Sequence, residues 1–594
     1  MRVAAVLLCA VPLLALDGHD AALFLDFQQP EAAGVRFQQG VRHTMLKDDP
    51  MQRPDLRALE FRNMFAFAEV TFSRALDGVQ GAAIGGWFYT RRKGEQVLLS
   101  RGLPEIGVSG DRFFRPEKDW VNFALGTDAR GFFFGTINGN GEMPFVYVTV
   151  DEVPINTWNQ LVVVKTADGH HQFYRNGVLV HTDRDSTWAP KVHPFRDVAE
   201  GEPVRFSVPQ GGLIGEVWVY GRALSADEIR RDYLAKRERF RPAPEPTPVE
   251  LRDMDEHHSS GLWSAPLDVR SWPVERARIE REMHRIFGRP PDGSRVPAKA
   301  ETISEEDAGS YIRRKVSLQV QPGDRMFAWV LVPKSLRGRV PAVICIYGTT
   351  GGAGKDTTVG LSGPKPGTPP RKNRAFAVDI VEAGFIAVAP DFLRDGERIS
   401  PGQRPYDTTE FYQKFPNWSI HGKDAWDTSR LIDWLETLPY VDASRIGMLG
   451  HSYGGHSTIF VAAHEPRIRV AVANGPVSDF YHHGMHWAVA PGESRSQSLP
   501  AMRPYLLERR PPPLTFYEVT SLIAPRPLLV GEAAGERRPM EEENAAAVHE
   551  VYDALGVSER VRYVWYGGDH DFPPAARRLT VDWFRRWFQA QERK

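Results

Sequence analysis

The amino-acid sequence predicts two domains, an all-β sandwich followed by an α/β domain with a mostly parallel sheet. The chain has 594 residues, whereas a single domain takes about 100–200. From about residue 20 to 222, short apolar or alternating runs are separated by Gly, Asn, Asp and Pro, as in antiparallel sandwiches. From about residue 311 onward, short apolar runs alternate with helical patterns, which indicates a parallel sheet covered on both faces.

The composition is that of an ordinary globular protein. Apolar residues make up 42% of the chain and charged residues 25%, which excludes collagen-like, disordered and multi-span membrane proteins. The 74 basic and 75 acidic residues nearly cancel, so no overall field attracts nucleic acid, and we predict no nucleic-acid partner. The two cysteines, Cys9 and Cys345, provide no disulfide framework.

Residues 1–18 are predicted to be a signal peptide. Arg2 is followed by the apolar run 3–16, which fits the core of such a peptide and is shorter than the roughly 20 residues that span a bilayer. The alternatives are a buried strand or helix and a lipid anchor at Cys9, although Leu8 precedes that cysteine where a small residue is expected. No other run is long enough to cross a membrane. We therefore expect a secreted or periplasmic protein without an integral membrane segment.

Two stretches of the first region carry more than alternation. Residues 158–180 are predicted to form two strands followed by a third. Asn176-Gly177 supplies the positive-φ turn of a tight hairpin among them. In 214–229, a strand leads into a short helix that Ser225 and Glu228 begin with a capping box.

On these two stretches, residues 19–235 resemble the laminin-G-like, concanavalin A-like jelly-roll domains. The resemblance implies a module that binds glycans or proteins, in some cases with a structural calcium ion. A purely structural spacer is the alternative interpretation. The sequence does not assign a calcium or glycan site to particular residues.

A proline-rich stretch separates the two predicted domains. Charged residues predominate in 236–241, and proline occupies every second position from 242 to 248, which favours an extended linker. We place the linker at 236–261 and the second domain at 262–594. The predicted strands of that domain include 340–347, 385–390, 445–450, 469–473, 527–530 and 561–566. The predicted helices are 373–383, 424–438, 453–463, 541–555 and 575–590.

Ser452 is the predicted nucleophile. It lies in Gly450-His-Ser-Tyr-Gly454, a G-x-S-x-G pattern that is weak by itself because Gly and Ser are common. The pattern gains weight because it follows a predicted strand and precedes a predicted helix, where a tight turn exposes a nucleophilic hydroxyl. Gly450, Gly454 and Gly455 supply the small residues that such a strained turn needs. A structural turn serine is the alternative.

His570 is the predicted general base. It lies in 567–573, directly after the last predicted strand and before the last helix, where a triad in the order Ser, acid, His places its base. Two alternatives remain: a metal site formed by Asp569, His570 and Asp571, or neither role.

Glu536 is the favoured triad acid, and Glu532 is the alternative. Both follow the penultimate predicted strand, and Glu536 better matches an acid followed by two residues and a proline. Asp479, just after the strand at 469–473, is a third candidate. A carboxylate here would hold the imidazole tautomer and stabilise the imidazolium.

Two backbone N–H groups are predicted to stabilise the charge of a transition state. One belongs to Tyr453, the residue after the nucleophile, and the other to Thr349, in the Gly-rich segment 346–352. That segment lacks the G-x-x-x-x-G-K-S/T spacing, so a phosphate-binding loop is not predicted.

These motifs make residues 262–594 resemble the α/β-hydrolase superfamily, nearest to acetyl xylan esterases and dienelactone hydrolases. Features shared with the prolyl oligopeptidase catalytic domain are 426–433, 441–447 and 524–527. The resemblance implies a serine carboxylesterase that needs no cofactor and no metal for catalysis. The chain departs from the family in having Tyr347-Gly348 where many members have His-Gly, and a glutamate as the acid.

Combined with the glycan-type sandwich, the resemblance implies an exported esterase that deacetylates a polysaccharide through a Ser452 acyl-enzyme. Two insertions, 393–421 and 479–516, could line a sugar-ester cleft. The aromatic and arginine candidates in them are Tyr406, Phe411, Tyr412, Trp418, Trp487, Arg495 and Arg503. Alternatives are a glucuronoyl esterase, in which Arg495 or Arg503 holds the uronate, a peptidase, and a glycan-binding or adhesion protein with an inactive hydrolase domain.

Overall fold

The protein is described by a computed structural model. The residues described are 16, 19–28, 34–37, 40–45, 56–63, 66–72, 76, 78–102, 122–137, 147–183, 203–254, 259–476, 480, 498–508, 510–536, 540–568 and 570–592. Apart from Leu16, the predicted signal peptide lies outside these residues. The chain divides into two units, residues 1–250 with 567–569 and residues 251–566 with 570–594. No helix in the described ranges combines the length and the apolar character needed to cross a membrane.

The described part of the first unit consists of antiparallel strands and one helix. The strands are β1 (Ala21–Asp26), β2 (Val35–Phe37), β3 (Val41–Met45), β4 (Arg57–Phe61), β5 (Ala68–Val70), β6 (Ala82–Thr90), β7 (Gln96–Arg101), β8 (Phe123–Thr127), β9 (Phe132–Ile137), β10 (Tyr147–Glu152), β11 (Thr157–Lys165), β12 (His171–Arg175), β13 (Val178–Asp183), β14 (Val204–Phe206) and β15 (Gly212–Tyr220). The helix is α1 (Ala226–Phe240).

These strands form two sheets that share one apolar core. The first has the order β13-β12-β11-β6-β15-β4-β3, with β1 paired to β15, and the second has the order β10-β9-β8-β7-β14-β5-β2. Side chains from both sheets meet in the core, as shown by the rings of Phe133 and Phe173, whose centroids lie 5.4 Å apart in an edge-to-face arrangement. The predicted hairpin joins β12 to β13, with Asn176 at φ 49° and Gly177 at φ 72°.

Helix α1 corrects the predicted start of the linker. The capping box of Ser225 and Glu228 begins the helix as predicted, but the helix continues to Phe240 instead of ending at 235. Lys236 is buried, and its Nζ lies 2.7 Å from Asp232 Oδ1, which compensates the buried charge. Phe240 stacks on Trp87 with ring centroids 4.4 Å apart. The charged run thus continues an amphipathic helix, in which Arg237 and Glu238 are exposed while Lys236 and Phe240 are buried.

The second unit consists of one mixed sheet and surrounding helices. Its strands are β16 (Leu251–Asp253), β17 (Glu301–Asp307), β18 (Tyr311–Gln321), β19 (Asp324–Pro333), β20 (Val340–Ile346), β21 (Ile386–Pro390), β22 (Val441–His451), β23 (Ile468–Asn474), β24 (Leu528–Ala533) and β25 (Val561–Tyr566). Its described α-helices are α2 (Trp272–Phe287), α3 (Lys355–Thr358), α4 (Phe376–Glu382), α5 (Thr409–Lys414), α6 (Ile420–Leu435), α7 (Tyr453–His464), α8 (Arg503–Leu507), α9 (Phe516–Ser521), α10 (Glu541–Ala554) and α11 (Pro574–Glu592).

The strand order is β16-β25-β24-β23-β22-β20-β21-β19-β18-β17. The six strands from β25 to β21 in this order pair in parallel, and the strands at both edges pair antiparallel. Residues an odd number of positions apart in a strand point to opposite faces of the sheet. In β22, a Cβ at Gly447 would meet Phe584 of α11, and one at Gly450 would meet Gly454 of α7. Helices therefore cover both faces, and the predicted fold class is confirmed.

Two edge strands of this sheet were not predicted. β16 pairs with β25, so the sheet takes up residues 251–253, which we had assigned to the linker. β17 has the sequence Glu-Thr-Ile-Ser-Glu-Glu-Asp, and all seven residues are exposed, so it has no apolar alternation to reveal a strand. Its charged side chains suit an edge strand, because they discourage pairing with another chain.

Candidate active site

Ser452 occupies the sharp turn between β22 and α7. Its backbone has φ 58° and ψ −121°, a region that a residue with a side chain rarely adopts and that costs about 1–3 kcal/mol. The turn is held from the next strand, because the Ser452 N–H donates to the Asn474 carbonyl at 2.8 Å. Since β22 is a central parallel strand, the turn places the hydroxyl at the carboxyl edge of the sheet.

Three glycines around Ser452 are required by close backbone approach. A Cβ at Gly450 would lie 1.9 Å from the Gly454 carbonyl oxygen, and one at Gly454 would lie 2.2 Å from the carbonyl oxygen of Ile346. A Cβ at Gly455 would lie 2.7 Å from the carbonyl oxygen of Asn474. These distances are far below van der Waals contact, so the pattern in the sequence reflects packing of the turn against β20 and β23.

Ser452, His570 and Glu536 form a continuous chain of hydrogen bonds. The Nε2 atom of His570 lies 2.6 Å from Ser452 Oγ, and its Nδ1 atom lies 2.6 Å from Glu536 Oε2. The two partners come from consecutive strand ends, because Glu536 follows β24 and His570 follows β25. With Nδ1–H donating to the carboxylate, Nε2 is left as an acceptor for the serine proton.

The other predicted acids occupy different places. Glu532, at the end of β24, is buried and lines a small cavity together with Thr520 and Asn544. Asp571, which was a candidate only for the alternative metal site, accepts a 2.6 Å hydrogen bond from Asn373. Asp479, Asp569 and the residues 537–539 that follow Glu536 lie outside the described residues.

Asn474 and His451 support the His570 imidazole, and neither residue was predicted from the sequence. Asn474 Nδ2 lies 2.8 Å from His451 Nδ1 and donates to the Asp571 carbonyl, also at 2.8 Å. The His451 ring packs on the His570 ring at a centroid distance of 4.8 Å. On another side, a Cβ at Gly475 would lie 3.0 Å from His570 Cε1. The position of Asn474 at the end of the strand beside β22 was the signal that could have identified it.

The predicted N–H donors flank the serine on two elements. Tyr453 is the first residue of α7, where backbone N–H groups have no acceptor within the helix. Thr349 is exposed in the loop after β20, next to Gly348. A Cβ at Gly348 would lie 3.0 Å from Ser452 Cβ, so this loop passes directly beside Ser452. The two predicted donors therefore belong to two elements that both lie next to Ser452.

Residues 347–350, here called the oxyanion loop, are anchored to residues 391–406, the post-β21 segment. The Tyr347 hydroxyl accepts the Phe392 N–H at 3.0 Å, so this side chain ties the loop to the segment from within the protein. The Thr350 N–H donates to the Tyr406 hydroxyl at 2.7 Å, and that hydroxyl donates to Asp395 Oδ2 at 2.7 Å. The Thr350 hydroxyl also donates to Asp395.

The post-β21 segment also contacts the side chain of Tyr453, the other predicted N–H donor. Arg394 Nη2 donates to the Tyr453 hydroxyl at 2.7 Å, and this hydroxyl donates to Asp424 Oδ2 at 2.9 Å. Arg394 and Tyr406 have φ 72° and 63°, so the segment bends through strained conformations at the residues that make these contacts. Burial raises the pKa of both Asp395 and Asp424 to about 6. Neither role was predicted, and Tyr406 had been expected to line a cleft.

The described residues do not fit a metal site. They contain no group of three or more His, Cys, Asp or Glu side chains that could hold an ion, in the sandwich or in the hydrolase unit. The hydroxyl of Ser452, the imidazole of His570 and the carboxylate of Glu536 form an arrangement that suits acyl transfer.

Comparisons with known proteins agree with this fold. The profile of the Abhydrolase family matches residues 259–568, and that of the concanavalin A-like lectin/glucanases superfamily matches residues 68–230. The chain is similar to YtaP of Bacillus subtilis (strain 168), which is named as a candidate hydrolase. The two are 24% identical over 329 residues, which cover 52% of this chain and 99% of YtaP.

Solved structures of similar fold include a glucuronoyl esterase from Solibacter usitatus, which is 19% identical with a TM-score of 0.43. That match covers 54% of this chain and 93% of the other. A candidate acetyl xylan esterase from Bacteroides fragilis NCTC 9343 is 21% identical with a TM-score of 0.39, over 50% of this chain and 74% of the other. The family resemblances predicted from the sequence are confirmed by the two profiles. Because the first profile covers more than half of the chain, the protein belongs to the Abhydrolase family.

Proposed function

We propose that this hydrolase is a serine carboxylesterase that removes acyl groups, chiefly acetyl groups, from a carbohydrate. The observation that carries the proposal is the pair of 2.6 Å contacts that link Ser452 to His570 and His570 to Glu536. A hydroxyl is a weak nucleophile until a base takes its proton, and a base needs the correct tautomer to do so. The triad meets both requirements in one chain of contacts.

The first half of the reaction forms an acyl-enzyme. Ser452 Oγ attacks the ester carbonyl carbon while His570 Nε2 accepts the serine proton, and the carbonyl oxygen becomes an oxyanion. Glu536 stabilises the imidazolium that results. The tetrahedral intermediate collapses as the bond to the sugar oxygen breaks, and the imidazolium donates its proton to this leaving oxygen. The sugar departs with a free hydroxyl, and Ser452 keeps the acyl group.

The second half returns the enzyme to its starting state. His570 removes a proton from water, and the water oxygen attacks the acyl carbon. The new oxyanion collapses, Ser452 Oγ leaves with the proton from the imidazolium, and acetate is released. In both halves we assign the oxyanion to the N–H groups of Tyr453 and Thr349, each of which typically contributes a factor of about 10²–10³ to turnover.

Two features support a carbohydrate as the leaving group. The same chain carries a unit that matches the concanavalin A-like lectin/glucanases superfamily, and a glycan ligand for that unit is part of the proposal. The formal net charge of −1 also suits a neutral polymer better than a strongly charged substrate. Export to the periplasm or the medium is a further part of the proposal, and it rests on the apolar run 3–16 of the sequence.

Hydrolysis assays with matched serine variants test the proposal. Wild-type protein, Ser452→Ala and Ser335→Ala would be assayed on p-nitrophenyl acetate and on acetylated xylan. Ser335 is an exposed turn residue in the same unit and serves as the control. We expect Ser452→Ala to lose at least about 10⁴-fold in kcat and Ser335→Ala to keep wild-type rates. Equal rates for wild type and Ser452→Ala would overturn the assignment of the nucleophile.

A substrate series tests the acyl group and the sugar. Acetylated, feruloylated and methyl-glucuronoylated saccharides would be compared by kcat/KM with wild-type protein. The proposal predicts the highest value on the acetylated substrate. A higher value on the glucuronoyl ester would replace acetyl removal by uronate ester cleavage on the same triad, and hydrolysis of none of the three would reject carbohydrate esters as the substrate class.

A further inference from the structure

A cavity of about 180 Å³ lies beside the post-β21 segment, on the carboxyl side of the sheet. One wall is the turn between β18 and β19, which contains Asp324, and another is α5 with the residues before it. The cavity is open to solvent on one side. No step of the proposed mechanism uses it.

Three polar side chains on its wall carry hydrogen-bonding groups for which the structure gives no protein partner. These are the hydroxyl of Ser400, the amide of Gln403 and the carboxylate of Glu410. None of the three forms a side-chain hydrogen bond or ion pair within the part of the chain that the structure describes. They combine donors with acceptors, so they match hydroxyl groups, each of which both donates and accepts.

Three of the charged residues on the wall, Asp324, Arg398 and Lys423, are paired with one another. Asp324 Oδ2 accepts from Arg398 Nη2 at 2.8 Å and from Lys423 Nζ at 2.7 Å. The two cations are almost fully buried, with 2% of each side chain exposed, so this group is fixed in place. The side chains that line the cavity include three anions and four cations, so the wall carries little net charge, which favours a neutral ligand over an anion or a cation.

Aromatic rings border the cavity on the α5 side. Phe411 and Phe415 both line it, and their ring centroids lie 5.4 Å apart. Lys414 Nζ lies 5.2 Å from the centroid of the Phe415 ring, which holds the ammonium beside the opening. Aromatic rings next to hydrogen-bond donors and acceptors suit a sugar, whose C–H face packs on the rings while its hydroxyl groups form hydrogen bonds.

Arg394 links the cavity to Tyr453, the residue after Ser452. This side chain lines the cavity and also donates to the hydroxyl of Tyr453, whose N–H we assign to the oxyanion. We propose that the cavity binds one neutral sugar ring of the carbohydrate substrate, next to the ring that carries the ester. The proposal rests on the proposed function and extends it to a substrate at least two sugars long.

Kinetics of a double variant test the subsite. Gln403→Ala/Glu410→Ala removes two partnerless side chains, and Glu382→Ala/Gln589→Ala removes two exposed side chains on α4 and α11 as the control. For each protein, kcat/KM on an acetylated xylo-oligosaccharide would be divided by kcat/KM on p-nitrophenyl acetate. We expect this ratio to fall about 10-fold in the first variant, as for the loss of two hydrogen bonds, and to stay constant in the control.

Direct binding separates the subsite from the catalytic proposal. Ser452→Ala, with and without the Gln403→Ala/Glu410→Ala changes, would be titrated with unacetylated xylotriose by calorimetry. Binding that weakens about 10-fold in the combined variant supports the subsite, even if the wild type hydrolyses no carbohydrate ester and the proposed function fails. Hydrolysis of the oligosaccharide with an unchanged ratio, or xylotriose affinity unaffected by the two substitutions, would overturn the subsite and leave the esterase proposal intact.

Discussion

Substitution of Tyr406 by phenylalanine tests the anchoring of the oxyanion loop. The change removes one hydroxyl that accepts from the Thr350 N–H and donates to Asp395, both at 2.7 Å, and it keeps the ring. A buried donor left without an acceptor costs about 1–3 kcal/mol. The N–H that loses its acceptor belongs to Thr350, which is next to Thr349. We therefore expect the Thr349 N–H to shift from the position in which it would stabilise the oxyanion.

We expect kcat of Tyr406→Phe to fall about 10- to 100-fold while KM changes little. The upper limit is set by the loss of one oxyanion donor, about 10²–10³, and the middle of the range corresponds to about 2 kcal/mol. KM should hold because the oxyanion forms only in the transition state. The assay is steady-state hydrolysis of p-nitrophenyl acetate, with thermal unfolding measured on the same preparations.

Tyr412→Phe is the matched control. Its hydroxyl also accepts a backbone N–H, that of Ile420 at 3.2 Å, and donates to the carbonyl of Ser498 at 3.3 Å. It makes no contact with residues 347–350 that the structure gives. Both variants should lose stability to a similar degree, and only Tyr406→Phe should lose turnover. A kcat within twofold of wild type for Tyr406→Phe, or equal losses in both variants, would refute the reasoning.

Three further predictions follow from the site. Glu536→Gln should lower kcat about 10³–10⁴-fold because it removes the carboxylate that fixes the imidazole tautomer, and a smaller loss than in Glu532→Gln would contradict that assignment. Gly454→Ala should lower the free energy of unfolding by about 3 kcal/mol or more because its Cβ would lie 2.2 Å from a carbonyl oxygen. By contrast, Gly351→Ala should cost under about 1 kcal/mol in urea unfolding, because its closest neighbour would be the flexible side chain of Lys365 at 3.0 Å. The pKa of Asp424 is raised by burial from 3.8 to about 6, so the folded protein holds this proton more tightly than the unfolded chain and loses stability as pH rises from about 4 through 6. The stability of Asp424→Asn relative to wild type should therefore increase by up to about 3 kcal/mol between pH 4 and pH 8, and a difference that does not change with pH would disprove this.

The sequence was most informative where local pattern and tertiary role coincide. The glycines of the Ser452 turn could be recognised because the backbone geometry that exposes the hydroxyl also excludes larger side chains nearby. The helix predicted at 453–463 is observed as Tyr453–His464, and the strand at 561–566 is observed with the same bounds. Both elements are buried over nearly their whole length, and the turn that precedes the helix marks where it begins.

The contacts that anchor the oxyanion loop lacked such a signal. Thr350 and Tyr406 are 56 residues apart in the chain, and Arg394 and Tyr453 are 59 apart. Nothing local in the sequence marks these residues, because their roles depend on how the segment after β21 bends back over the sheet. The same reason explains why Tyr406 was expected in a cleft, since an aromatic residue in an insertion fits either role.

The end of the first unit shows a different limit. A mostly charged run followed by alternating prolines predicted an extended chain from residue 236, yet the helix continues to Phe240. The charges could not reveal that Lys236 is buried between two carboxylates, since an ion pair is a tertiary contact. Composition therefore predicted a linker in this part of the chain, but it did not show at which residue the helix ends and the linker begins.

Covalent labelling of the nucleophile is the most direct measurement. Wild-type protein, Ser452→Ala and Glu536→Gln would be treated with a fluorophosphonate, and the modified peptide would be identified by mass spectrometry. A triad of Ser452, His570 and Glu536 predicts rapid labelling at Ser452, none in Ser452→Ala, and labelling slowed by at least about 10²-fold in Glu536→Gln. No adduct in the wild type, or an adduct on another serine, would contradict it.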